Sequence, residues 1–170
     1  HVDIDADLLR QTADALASVG AEVLFESGDR CVAFSPSGAT YEGFPDTPTV
    51  HSPSELTERY PTFSCNKFCY EASEFDKIAR LEPFMSEHFD TCDLGIGTGE
   101  STLKGVNKGT GIARVLEYLG RDRTDTYAFG DSENDLAMLE AVSYPVAMGN
   151  AMGRVKDAAA YVTDSVDDDG

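Results

Sequence analysis

The sequence predicts an α/β protein in two parts: an α+β domain over residues 1–104 and a parallel-sheet α/β domain over residues 105–170. Three observations carry that expectation. Short apolar runs separated by turn residues fill the first part. Strands and helices alternate strictly after Gly105. An acidic turn, Gly130-Asp131-Ser132-Glu133-Asn134-Asp135, directly follows the apolar run Tyr127-Ala128-Phe129. Open α/β sheets bind ligands at such a place, beyond the carboxyl end of a strand.

In chain order, Asp5 and Asp7 precede an apolar set with helical period, Leu8, Leu9, Thr12, Leu16 and Val19, which stops at Gly20. Asp3-Ile4-Asp5 has too short an apolar lead to be a nucleophilic pair, so Asp5 and Asp7 read as helix caps. Ala21 to Phe25 reads as a strand, Ser27-Gly28-Asp29 as a turn, and Cys31 to Phe34 as an antiparallel partner. Ser35 to Pro61 holds most of the prolines, which predicts turns and one short helix from Ser54 to Arg59 behind Pro53.

Lys67 to Tyr70 reads as a strand and Glu74 to Met85 as a helix with Phe75, Ile78, Ala79 and Leu81 inward. Phe89 to Ile96 and Glu100 to Gly105 read as strands around Gly97-Thr98-Gly99. The run from Gly97 to Leu103 has P-loop-like spacing, but Glu100 stands where the lysine must be, so it reads as a turn.

From Gly105 the pattern is helix Lys108 to Leu119, strand Thr126 to Phe129, helix Glu133 to Ala141, strand Pro145 to Met148, helix Met152 to Ala159 and strand Tyr161 to Thr163. Such alternation is the mark of crossover connections on a parallel sheet.

With 31 acidic and 13 basic residues the formal net charge is −18, of which −12 falls in residues 1–104 and −6 in 105–170. Attraction to a phosphate backbone is thereby excluded as the basis of function, and no nucleic-acid partner is expected. No apolar run reaches the length of a membrane span, and His1 to Leu8 carries three aspartates and no apolar stretch. A cytoplasmic protein with no membrane partner is the expectation. Eighteen aspartates against five lysines fit either a salt-adapted source or plain compositional bias. Cys31, Cys65, Cys69 and Cys92 have no zinc-site spacing and read as reduced, small apolar residues.

The chemistry concentrates in the second part. Helix capping accounts for one or two of Asp131, Glu133 and Asp135. Asp131 and Asp135 flanking Asn134 after a strand end suit a hard, oxygen-seeking cation such as Mg²⁺. Lys108 opens a helix within Gly105-Val106-Asn107-Lys108-Gly109-Thr110-Gly111, where its charge opposes the helix dipole. Such a lysine is either solvated or aimed at an anion. A phosphate between Lys108 and a cation at Asp131 would meet positive charge on both sides. Asn150, in Gly149-Asn150-Ala151, follows another parallel strand and so lies on the same rim, either capping a helix or holding the acidic loop.

At Lys108, at Gly130 to Asp135 and at Val146-Ala147-Met148-Gly149-Asn150-Ala151, the chain resembles the haloacid dehalogenase-like phosphatases of the Cof type. The likeness runs on through Val155-Lys156, Ala159-Ala160-Tyr161-Val162-Thr163 and Asp168-Asp169-Gly170. The resemblance implies the C-terminal half of a Rossmann-like parallel-sheet core, preceded by the family's large α+β cap. It further implies a Mg²⁺-dependent phosphohydrolase acting on a small phosphorylated metabolite through an aspartyl-phosphate intermediate. Asp131 and Asp135 would serve the metal, Lys108 would neutralise the phosphoryl group, and Lys108, Asn134 and Asn150 would bind substrate.

In that family the nucleophilic Asp-x-Asp precedes the cap, and residues 1–104 contain no credible counterpart. The expectation is therefore a catalytically incomplete piece, whose missing N-terminal core segment comes from a longer parent or from another chain. A non-catalytic metal-binding or regulatory module derived from such a phosphatase is the alternative.

Overall fold

The computed structural model describes residues 2–39 and 46–170. The chain forms two compact units, one of His1–Thr91 with Gly97–Lys104, the other of Cys92–Ile96 with Gly105–Gly170. Part of the turn region expected between Ser35 and Pro61 lies outside the described residues. Among the described residues no helix is long and apolar enough to cross a membrane.

The first unit opens with α1 (Ala6–Val19). Asp5 caps it by accepting the Leu8 amide at 2.9 Å, and Gly20 ends it with a φ of 65°, a conformation that glycine adopts without strain. The expected hairpin follows as β1 (Val23–Glu26) and β2 (Cys31–Phe34), with Val23 opposite Phe34. A two-residue strand that the sequence does not announce, β3 (Thr49–Val50), pairs parallel to β2, and α2 (Pro53–Arg59) starts on its proline behind a Ser52 cap. Strands β4 (Lys67–Glu71), β5 (Phe89–Asp93) and β6 (Thr98–Leu103) complete a six-stranded mixed sheet of order β3-β2-β1-β4-β6-β5, which corrects the turn expected from Gly97 to Leu103: Thr98 to Thr102 pair with β4 as strand.

Strand alternation sorts this sheet into two faces. Val23, Phe25, Val32, Phe34, Phe68 and Tyr70 share one core with Leu9 and Leu16 of α1 and Leu56 of α2, while Leu24 and Ala33 form a separate small cluster. Phe25 meets Phe34 and Phe68 at 5.9 Å each, and Phe68 meets Phe89 edge-on at 5.3 Å.

The long helix expected from Glu74 to Met85 is corrected by the structure. A 3-10 turn (Ala72–Glu74) leads into α3 (Phe75–Ala79), the chain turns, and α4 (Phe84–His88) begins anew. Pro83 has no amide hydrogen to give and disfavours helical geometry at Glu82, so the apolar periodicity continues across a break. Buried Glu74 accepts the Glu22 amide at 2.9 Å, and Lys77 bonds both Glu74 and the Gly20 carbonyl, which ties α3 to the end of α1.

The second unit contains α5 (Lys108–Tyr118), β7 (Tyr127–Gly130), α6 (Leu136–Glu140), β8 (Tyr144–Ala147), α7 (Gly153–Ala158) and β9 (Tyr161–Val162). Its sheet has the order β7-β8-β9 with both pairs parallel, as the alternation requires. Ala128, Leu139, Val142, Ala147, Ala151 and Val155 form its core. Parallel strands end on the same side, so the turns after β7 and β8 share one rim, and the Met152 amide donates to the Asp131 carbonyl at 2.9 Å. β7 is an edge strand of this sheet. Its residues Tyr127 and Phe129 are 62% and 57% exposed.

Candidate active site

Gly130 ends β7, and the chain passes through Asp131 and Ser132 into a 3-10 turn (Glu133–Asp135) that runs on into α6. The turn is organised around Asp135, which is 4% exposed. Its Oδ2 accepts the amides of Asp131 at 2.9 Å and Ser132 at 3.3 Å. Its Oδ1 accepts Lys108 Nζ at 2.5 Å. The same ammonium reaches Asn134 Oδ1 at 3.4 Å, and that oxygen also accepts the Ser132 hydroxyl at 2.8 Å. The acidic turn thus folds back on one buried carboxylate, and the lysine closes it from outside.

Lys108 arrives there because α5 starts at that residue. Asn107 caps the helix: its Oδ1 accepts the Thr110 amide at 2.9 Å while Thr110 Oγ1 accepts the Asn107 amide at 3.0 Å. That reciprocal cap fixes where the first turn begins, and therefore where Lys108 points. The side chain of Lys108 is half exposed. An ammonium has three protons, and two are directed to Asp135 and Asn134, leaving one for an incoming anion.

Burial alone would push the Asp135 carboxyl up. The hydrogen bond from Lys108, those from the Asp131 and Ser132 amides, and the Lys108 charge outweigh it and hold the group below its ordinary value. Asp135 is accordingly ionised and committed to protein donors.

Asp131 contrasts with it. Its carboxylate is exposed and has no hydrogen-bond or ion-pair partner among the described residues. Its donors are hard oxygens, of the kind Mg²⁺ takes, whereas no cluster of three or more His, Cys, Asp or Glu side chains converges among the described residues. The fit to a cation is that of one free ligand, Asp131, backed by a buried carboxylate that shapes the loop.

The sequence-derived residues Lys108, Asp131, Asn134 and Asp135 are brought together. Asn150 is not bonded to them. Its Oδ1 accepts the Val166 amide at 3.1 Å, which fastens the segment after β9 beside the Gly149 amide that donates to the Asp164 carbonyl. Sequence reasoning missed the Asn107–Thr110 cap, although its N-x-x-T spacing is a readable signal. It also missed Ser132 and the ion pair between Glu133 and Arg154, which links the turn to α7. Nothing local marks that pair, because its partners are brought together only by the crossover.

Residues 1–170, the whole chain, match the haloacid dehalogenase-like hydrolase family. The chain belongs to that family. Among its relatives, the putative phosphatase YkrA of Bacillus subtilis is 53% identical over 66 residues, covering 39% of this chain and 26% of that protein. The phosphoglycolate phosphatase of Methanosarcina acetivorans is 43% identical over 128 residues, 62% of this chain and 57% of that one. In fold, the chain is similar to a solved sugar phosphatase of subclass IIB of the superfamily. The TM-score is 0.77 at 24% identity, over 99% of this chain and 64% of that one. A superfamily phosphatase from Bacteroides thetaiotaomicron gives a TM-score of 0.79, also at 24% identity, over 99% and 63%. The chain therefore spans less than two thirds of the length of each of these relatives.

Proposed function

We propose that the whole protein is a Mg²⁺-dependent phosphatase of small phosphomonoesters of the sugar-phosphate kind, and that residues 105–170 supply half of its catalytic centre. The observation that carries this reading is the free Asp131 carboxylate on the rim of a parallel sheet. It stands beside a lysine fixed by Asp135 and Asn134 with a proton to spare. Phosphoryl transfer asks chiefly for positioning and for positive charge around the phosphoryl oxygens, and this arrangement offers both.

In this reading Asp131 holds Mg²⁺ while Asp135 keeps the turn in shape and Lys108 in place. The metal supplies charge neutralisation of the phosphoryl oxygens. The nucleophilic aspartate comes from a segment outside these 170 residues, on a strand that pairs along the free edge of β7 and covers Phe129. Its carboxylate oxygen bonds to phosphorus as the bond to the leaving alkoxide breaks, and water then hydrolyses the acyl phosphate. The first unit acts as a cap that selects the substrate and excludes water. The solved sugar phosphatase of similar fold and the phosphoglycolate phosphatase relative support the substrate class.

The test is hydrolysis of a panel of sugar phosphates by the whole protein, with and without Mg²⁺. Asp131→Asn and Lys108→Ala should each lower turnover by about 100-fold or more. Mg²⁺-dependent hydrolysis at the wild-type rate by Asp131→Asn would overturn the reading.

A further inference from the structure

Gly109 is the second residue of α5, a place where glycine is a poor choice on helix propensity. Packing explains it. A Cβ at Gly109 would lie 2.2 Å from the carbonyl oxygen of Ala137 and 2.7 Å from its carbonyl carbon. Ala137 belongs to the first turn of α6, two residues beyond Asp135. The first turns of the two helices therefore touch backbone to backbone, immediately beside the ion pair between Lys108 and Asp135. Gly111 is on the same helix, and a Cβ there would meet nothing within 4 Å.

We infer that Gly109 is a positioning residue: its bare backbone contact with Ala137 sets the spacing of α5 and α6 at which Lys108 meets Asp135 and Asn134. A main-chain carbonyl inside a helix cannot swing aside as the end of a side chain can. A methyl at Gly109 forces the two helices apart by roughly 0.8 Å before contact becomes tolerable. Lys108 is adjacent to the wedge and moves with it. The catalytic consequence rests on the phosphatase reading, and a displacement of this size at a charge-stabilising group lowers turnover by about 10- to 100-fold. The packing consequence does not depend on that reading.

The experiment compares Gly109→Ala with Gly111→Ala in the whole protein, each alone and combined with Lys108→Ala. Gly109→Ala is expected to lower kcat by about 10- to 100-fold with a smaller change in KM, and Gly111→Ala to stay within about twofold of wild type. In the Lys108→Ala background Gly109→Ala should cost no more than about a further twofold, because its effect runs through the lysine already removed. Equal losses in both backgrounds would overturn the inference, since that is the result of a general packing defect.

A second readout needs no catalysis. The rate at which a small acetylating reagent modifies Lys108 in the folded protein, followed by peptide mass spectrometry, should rise several-fold in Gly109→Ala and not in Gly111→Ala. Unchanged Lys108 reactivity overturns the inference. Raised reactivity in a parent protein that hydrolyses no phosphomonoester leaves it standing and defeats only the phosphatase reading.

Discussion

Asp131 and Asp135 sit four residues apart in one acidic turn, yet their neutralisation should have opposite consequences. In Asp135→Asn the carboxamide keeps one oxygen for the Asp131 and Ser132 amides and turns its NH₂ toward Lys108, donor against donor. The two amide bonds fall from charge-assisted to neutral strength, a loss of about 1 kcal/mol together. The lysine pair, half exposed on one side and buried on the other, contributes about another 1 kcal/mol. A loss of about 2 kcal/mol is expected. With an m-value of about 1 kcal/mol/M for a unit of this size, the urea midpoint of the second unit falls by about 2 M. Asp131→Asn changes an exposed group with no partner among the described residues and should stay within about 0.5 kcal/mol of wild type, while on the phosphatase reading it lowers turnover of the whole protein by about 100-fold or more. Urea titrations followed by circular dichroism separate the two. Equal midpoints for the two variants would refute the division into a carboxylate for the fold and a carboxylate for chemistry.

Three further outcomes are expected, two from the same turn and one from the charge of the chain. Gly130→Ala would bring a Cβ to 2.6 Å from the Asp135 Cβ, so it should lower stability by about 1–3 kcal/mol, which thermal unfolding would detect. Because the Asp135 value is depressed in the folded protein, its contribution is present above the unfolded carboxylate value of about 3.9 and is lost as pH falls through the folded value. Acid titration of stability should therefore show a smaller decline below about pH 4 in Asp135→Asn than in wild type, and identical declines would contradict the assignment. With 31 acidic against 13 basic residues, unfolding midpoints should rise from low to molar salt as repulsion is screened. A flat profile would show that the acidity does not strain the fold.

The sequence reads most clearly where a short-range rule is obeyed without competition. α1 shows its cap at Asp5 and its stop at Gly20, and the second unit shows its parallel crossovers through strict alternation. The Glu74 to Met85 stretch reads wrongly because apolar spacing survives the interruption at Pro83, where backbone restriction overrules periodicity. β3 is invisible because two residues carry no period, and it exists only through its pairing with β2. Asn150 illustrates a limit of another kind: its place on the rim follows from chain order, but its bond to Val166 depends on how the segment after β9 returns.

By itself the sequence determined which residue types are available to the candidate site and on which rim of the sheet they stand, because strand direction and turn placement are local properties. Only the tertiary structure decided which of the two aspartates is taken up by protein donors. Asp135 is drawn inward because two main-chain amides and the ammonium from α5 converge on it, and the exposed Asp131 is left with its carboxylate uncommitted. That convergence depends on the distance between α5 and α6. The distance is set by a glycine against a carbonyl 28 residues away, a contact that no local pattern in the chain announces.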